Sequence, residues 1–159
     1  MKRYVSLLAF IALVFSVSFV SSSITMPAVQ SWYQEIEKAA WNPPDYVFAP
    51  VWTTLYFMIA IAGWRVWQKL SGDLRTRLTH PAMRVYWLQL LCNFLWSVLF
   101  FGMMSFIAAF IDIVLLLIAI ALTIRAFRAI DKWAAYLLVP YFLWVLYAST
   151  LNAAIAILN

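Results

Sequence analysis

Charge is what this sequence has least of. Only 11% of its 159 residues are Asp, Glu, Lys or Arg, against 67% hydrophobic, and the mean hydropathy is +0.91. A water-soluble domain of this length cannot enclose that much apolar surface, so a soluble enzyme or binding module is excluded. Histidine is nearly absent too. His80 is the only one, and it stands between apolar runs, so no histidine within a membrane segment is at hand to ligate a haem iron. No Ser/His/Asp or Cys/His set and no group of metal ligands can be assembled from the sequence. The single cysteine, Cys92, cannot close an internal disulfide. There is no inverted repeat and no pair of Gly/Pro-broken helices, which leaves alternating-access transport without a sequence signature.

What is present is long apolar runs. Five segments reach the roughly 20 residues that a helix needs to cross the hydrocarbon core: about 4–24, 48–70, 82–101, 105–127 and 133–158. They are continuous rather than alternating, which predicts helices and not strands. The fold class expected is all-α: a polytopic membrane protein, a five-transmembrane-helix bundle, forming one domain over 1–159. The basic, apolar and small-residue order of the first 23 residues resembles a signal peptide, but its apolar run is long for one and reads as a retained first span.

The net charge of +5 does not indicate nucleic acid, because the basic residues flank apolar segments. Lys2 and Arg3 precede span one, Lys69, Arg75, Arg77 and Arg84 flank the second loop, and Arg125, Arg128 and Lys132 flank the fourth. The first loop is net acidic, with Glu35, Glu37 and Asp45 against Lys38. All basic clusters therefore fall on one side. In a bacterial inner membrane that places the N-terminus in the cytoplasm and the C-terminus outside.

Local signals mark the connections. Ser31-Trp32-Tyr33-Gln34 fits a capping box, and Trp32, Ile36 and Ala39 recur at helical spacing, which predicts a short amphipathic helix within loop 25–47. Pro43-Pro44 stops it. Gly102, in the short GMMS turn, is suited to a left-handed helix end, and the shortness of that turn makes spans three and four antiparallel neighbours. Pro81 fits a first helical turn. Pro140 predicts a kink in span five.

Polar groups inside spans are expensive in hydrocarbon and therefore informative. Gln89, Asn93, Trp96 and Phe100 share one face of span three. Trp144, Ala148 and Asn152 share one of span five, and Trp52 and Tyr56 one of span two. With Trp41 and Tyr46 held by the proline corner as a lid over the first-loop end, these stripes outline a cavity with flat aromatic walls and a few amides, suited to a planar ligand. Three plainer readings stand beside this one. The amides Gln89, Asn93 and Asn152 also fit helix-to-helix hydrogen bonds. Asp112, about 10 Å into span four from the first-loop side, fits a structural acid as well as a proton carrier. Trp64, Trp67, Trp87 and Trp133 fit an interfacial belt.

WNPPDYVFAPVWTTLY, then QLLCNFLWSVLFFG, then Asp112, then PYFLWVLYASTLN resemble the tryptophan-rich sensory protein/translocator protein family, the peripheral-type benzodiazepine receptors. The match runs along nearly the whole chain in order. The resemblance implies a five-helix bundle in the lipid bilayer, usually a homodimer, that binds porphyrins and synthetic isoquinoline and benzodiazepine ligands, in bacterial membranes or the outer mitochondrial membrane. It implies ligand-binding roles for Trp41, in WxPP, and for Trp52, Asn93, Trp144 and Ala148. Light-driven breakdown of protoporphyrin, reported for some members, implicates residues matching Trp41 and Trp144. The weak cholesterol motif of mammalian members is not matched, since Leu151-Asn152 is followed by AAIAILN without its tyrosine and basic residue. Sterol binding by that motif is not expected. The functions that follow are a tetrapyrrole receptor or carrier with a regulatory role, a light-dependent protoporphyrin-degrading activity, a tetrapyrrole transporter, or a purely structural partner protein.

Overall fold

A computed structural model describes residues 2–159; the side chains of Lys2 and Arg3, and with them the basic start of the first span, lie outside the described residues. The elements are α1 (Lys2–Val29), α2 (Phe48–Lys69), α3 (Leu74–Leu78), α4 (Pro81–Ser97), α5 (Phe106–Arg128), α6 (Lys132–Leu137) and α7 (Val139–Leu158). Five stretches are long and apolar enough to cross a membrane: Tyr4–Val29, Asp45–Lys69, Pro81–Gly102, Phe106–Arg128 and Lys132–Leu158. The outer faces fit that solvent. On α5, Ile107, Ile111, Leu115, Ile118 and Leu122 form an exposed ridge at helical spacing, a continuous apolar face that water would not tolerate. The chain is an all-helical, multi-pass integral membrane protein.

As the four-residue turn predicts, α4 and α5 are close neighbours; α5 also packs on α7, and α1 on α2. The core on the basic side is built on rings. Tyr86 of α4 stacks on Phe127 of α5 at 5.6 Å, and Phe10 of α1 lies against Trp67, Tyr86 and Trp87. Trp67 and Trp87 thus pack the bundle as well as marking its interface. Pro81 opens α4, with the His80 side chain accepting from Ala82 N–H. Span five breaks at Leu138, two residues before Pro140, into α6 and α7. The ring of Pro140 supplies no N–H to the ladder at that turn.

Three local expectations are corrected. Span one runs to Val29 rather than stopping at 24, and no amphipathic helix follows, only a 3-10 turn at Trp32–Gln34. The cause is visible in hydrogen bonds. Ser31 Oγ donates to the Pro27 carbonyl (2.7 Å) and Gln34 Nε2 to the Val29 carbonyl (2.9 Å). The two side chains read as a capping box instead satisfy orphan carbonyls at the end of α1. Finally, Gly102 is not the left-handed residue. That is Met104, at φ 51°, while α4 runs on through a π turn at Val98–Gly102.

The basic side is latched by Asp131. Its side chain is 2% exposed and meets Arg65 (2.9 Å) and Lys69 (3.2 Å). It also accepts from the N–H groups of Trp133 and Ala134, capping α6. Burial pushes this carboxyl up, but the Lys69 hydrogen bond, the two N–H groups and the Arg65 guanidinium outweigh it and hold it below the usual carboxylate range. A lowered folded-state pKa gives stability that is full above the unfolded value, about 4, and is lost as pH falls through the folded value. Asp131→Asn should therefore lower stability at pH 7 by about 1–2 kcal/mol, below the figure for a fully buried pair because both cations are partly solvated. The deficit should shrink below about pH 4. Thermal unfolding of parent and variant across pH checks this; a deficit independent of pH would assign the loss to the cap alone.

Candidate functional site

A cavity of about 260 Å³ lies in the half of the bundle near the first loop. Its wall on α2 is Trp52 and Tyr56, one turn apart, with ring centroids 5.4 Å apart. On α4 it is Asn93, Trp96 and Phe100, with Trp96 stacked on Phe100 at 5.1 Å. On α7 it is Trp144, Ala148 and Asn152. The three predicted stripes thus converge on one space. Gln89, one turn below Asn93, is buried but does not line it.

The amides are struts. Asn93 accepts from Tyr56 Oη (2.6 Å) and donates to Tyr141 Oη (3.2 Å), tying α2, α4 and α7 together. Asn152 accepts from Trp96 Nε1 (3.0 Å) and donates to the Phe106 carbonyl (2.9 Å). Both amides are occupied by protein, so they set ring positions rather than offering free groups. Trp144 differs: its Nε1 is buried and has no partner among the described residues. An indole N–H is a donor only, and left unpaired it calls for an acceptor.

Three predicted site residues stand outside the cavity. Trp41 is 55% exposed and packs on the outer side of α7, its Nε1 donating to Thr150 Oγ1 (3.3 Å) and its carbonyl accepting from Tyr147 Oη (2.6 Å). Tyr46 is exposed. Asp112 is buried on α5 and contributes nothing to the lining. The loop does cover the cavity, but with Tyr33 and Asp45. Gln34 Nε2 donates to Asp45 Oδ2 at 2.8 Å, which joins the two ends of the loop. Burial, reinforced by the nearby Asp45 carboxylate and only partly offset by the Asn42 hydrogen bond, pushes the Tyr33 phenol up to about 12, so the lid presents a neutral hydroxyl. The loop is pinned further at Glu37, whose N–H and carbonyl both bond the Asn159 side chain.

The sequence reading missed the α1 wall: Ser18, Ser21, Ser22 and Thr25 line the cavity. Their spacing of i, i+3, i+4 and i+7 was a legible signal of a small, weakly polar helical stripe. Ser18 and Ser22, which the small-residue pattern also suits to helix association, here line the cavity. Several lining residues of α1 and α2 are exposed, among them Ser22, Met26, Ala49 and Thr53. The cavity therefore opens sideways between α1 and α2, at membrane depth.

Five spanning helices around a ring-walled, sideways-opening cavity, closed on one side by a pinned loop, define a multi-pass integral membrane protein. The chain belongs to the TspO/MBR family, whose model matches residues 10–158. It is 42% identical over 154 residues to Tryptophan-rich protein TspO of Archaeoglobus fulgidus, covering 96% of each chain. It is 40% identical over 158 residues to Tryptophan-rich protein TspO of Chlorobaculum tepidum, covering 99% of this chain and 98% of that one. The human Translocator protein is 34% identical over 134 residues, 84% of this chain and 78% of its own.

Proposed function

We propose that the protein is a membrane receptor or carrier for porphyrins and related planar apolar ligands, with a sensory or regulatory role. The observation that carries the reading is the convergence of Trp52, Trp96 and Trp144 on one space. Stacking and apolar burial supply affinity there. The relatives named sensory and translocator proteins are consistent with this role. The volume, about 260 Å³, is just under the roughly 300–1,000 Å³ usual for ligand pockets. An isoquinoline- or benzodiazepine-type ligand fills it whole. A tetrapyrrole is larger than the cavity, so a substantial part of its ring, with the propionates, would stand in the gap between α1 and α2. A homodimer belongs to the same reading, and the mass of the protein in lipid nanodiscs tests it.

The position of Trp144 also favours a second reading, in which a bound protoporphyrin is oxidised under light by dissolved dioxygen, which takes up the electrons, with this indole as an intermediate redox partner. Trp41 lies outside the cavity and is the weaker of the two candidates. Titration with protoporphyrin in the dark and then under illumination separates the readings. Saturable binding with an unchanged spectrum in light indicates a receptor or carrier. Loss of the porphyrin bands on repeated turnover indicates degradation, and Trp144→Phe should then abolish turnover while weakening binding less than threefold. No saturable binding at all would remove both readings and leave a structural role.

A further inference from the structure

On the basic side, remote from the aromatic cavity, a second hollow runs along the bilayer face of the bundle. Met58, Ile61 and Arg65 of α2 form one wall, and Trp133, Tyr136 and Leu137 of α6 the other, of a shallow hollow open to the bilayer. The α2 residues sit at i, i+3 and i+7 on one helical face, so the hollow is a groove about 10 Å long parallel to the helices. Its depth is apolar. Its basic end is crowded with cations: Arg65, Lys69 half-exposed beside it, and Lys132, whose Nζ lies 5.7 Å above the Trp133 ring. One acid, Asp131, pairs with Arg65 and Lys69, so that with Lys132 the end carries three cations to one carboxylate, a surplus of two positive charges. The Arg65 Nε and Nη2 are spent on Asp131, while Nη1 makes no bond among the described residues.

We propose that this groove is a site for an anionic glycerophospholipid of the basic-side leaflet, one acyl chain lying along Met58, Ile61 and Leu137 and the phosphate meeting Arg65, Lys69 and Lys132. Half-exposed Trp133 and Tyr136 sit where the chain gives way to the headgroup, the level that amphipathic rings favour. Clustered cations just inside the interface recognise acidic headgroups at roughly fivefold in affinity per charge. The charge also argues against a second copy of this chain as occupant. A two-fold axis along the bilayer normal would bring two such surplus-positive ends together at the same depth, and like charges in juxtaposition oppose that contact.

The test is native mass spectrometry of the full chain in mild detergent, titrated with dioleoylphosphatidylglycerol and, in parallel, dioleoylphosphatidylcholine. One phosphatidylglycerol should be retained at least tenfold more tightly than phosphatidylcholine. Lys69→Gln with Lys132→Gln should erase most of that preference. Arg75→Gln with Arg77→Gln, which removes the same charge from the α3 loop, should preserve it. Ile61→Trp fills the groove without touching a charge and should weaken both lipids, which keeps the site testable should the lysine variant fail to fold. Equal affinity for the two lipids overturns the proposal. So does equal loss in both charge variants, since diffuse surface charge would then explain the preference. A dimer that Ile61→Trp dissociates, with no lipid retained by the parent, would make the occupant a second copy and overturn it as well.

Discussion

Ala148→Leu is expected to weaken protoporphyrin binding by about tenfold to a hundredfold while leaving the bundle folded. Ala148 lies one turn from Trp144 and one from Asn152 on the cavity face of α7. It is the one small side chain of that stripe, and the gap over it is where a flat ring can lie against the helix. Leucine puts a branched side chain into that gap. Forcing other groups aside to make room typically costs about 1–3 kcal/mol, which is about tenfold to a hundredfold in Kd. The helix itself should tolerate the change, because leucine is a good helix former and is at home in lipid. Ile118→Leu is the control: Ile118 is 52% exposed on the outer face of α5, away from the cavity, and the swap conserves volume. Fluorescence titration of the purified variants reads both. Unaltered affinity in Ala148→Leu would show that the porphyrin lies elsewhere. Equal losses in the two variants would make the effect one of general packing.

The spans and the three cavity stripes were legible because hydrophobic length and 3.6-residue periodicity are local properties of the chain. Trp52 with Tyr56, Asn93 with Trp96, and Trp144 with Ala148 each needed only the geometry of one helix. What failed was set between elements. The Ser31 and Gln34 side chains have the chemistry of an N-cap, yet they serve the preceding helix, because α1 continues to Val29 and its last carbonyls need donors. Trp41 stands at the mouth of the cavity in sequence, but Thr150 and Tyr147 hold it on the outer side of α7. A contact 109 residues away in sequence leaves no trace in local pattern. Asp112 was singled out by the expense of its charge, and that expense says only that the group is special, not which space it faces. The α1 serines carry the opposite ambiguity: Ser18 and Ser22 read from sequence as small residues suited to helix association, since a hydroxyl can bond back to its own helix and is cheap in lipid.

Gly63→Ala should destabilise the protein more than so small a change suggests, and by a route that spares the ligand. A Cβ on Gly63 would stand 2.5 Å from Tyr86 Cζ, 2.6 Å from its Oη and 2.9 Å from Phe10 Cε1. A tyrosine ring can often swing aside, but this one is fully buried, stacked on Phe127 and edge-on to Trp87, with its hydroxyl donating to the Ile59 carbonyl at 3.2 Å. Moving it breaks that hydrogen bond where no water can replace it, at about 1–3 kcal/mol, and overpacking adds a comparable amount. Against this, alanine gains about 1 kcal/mol over glycine in a helix. The losses outweigh the gain, and a net destabilisation of about 1–5 kcal/mol follows. Gly102→Ala is the comparison: its Cβ meets only Ile24 Cγ2, at 3.3 Å, a contact one methyl can relax, and it should be close to neutral. Tyr86→Leu removes the clashing atoms, so Gly63→Ala should be milder in that background, with a coupling of at least about 1 kcal/mol between the neighbours. Thermal unfolding in detergent measures all four. Neither Gly63 nor Tyr86 lines the cavity, so protoporphyrin affinity measured well below the unfolding temperature should match the parent's. A Gly63→Ala protein as stable as the parent would mean that α2 and α4 are not packed as closely as these distances require.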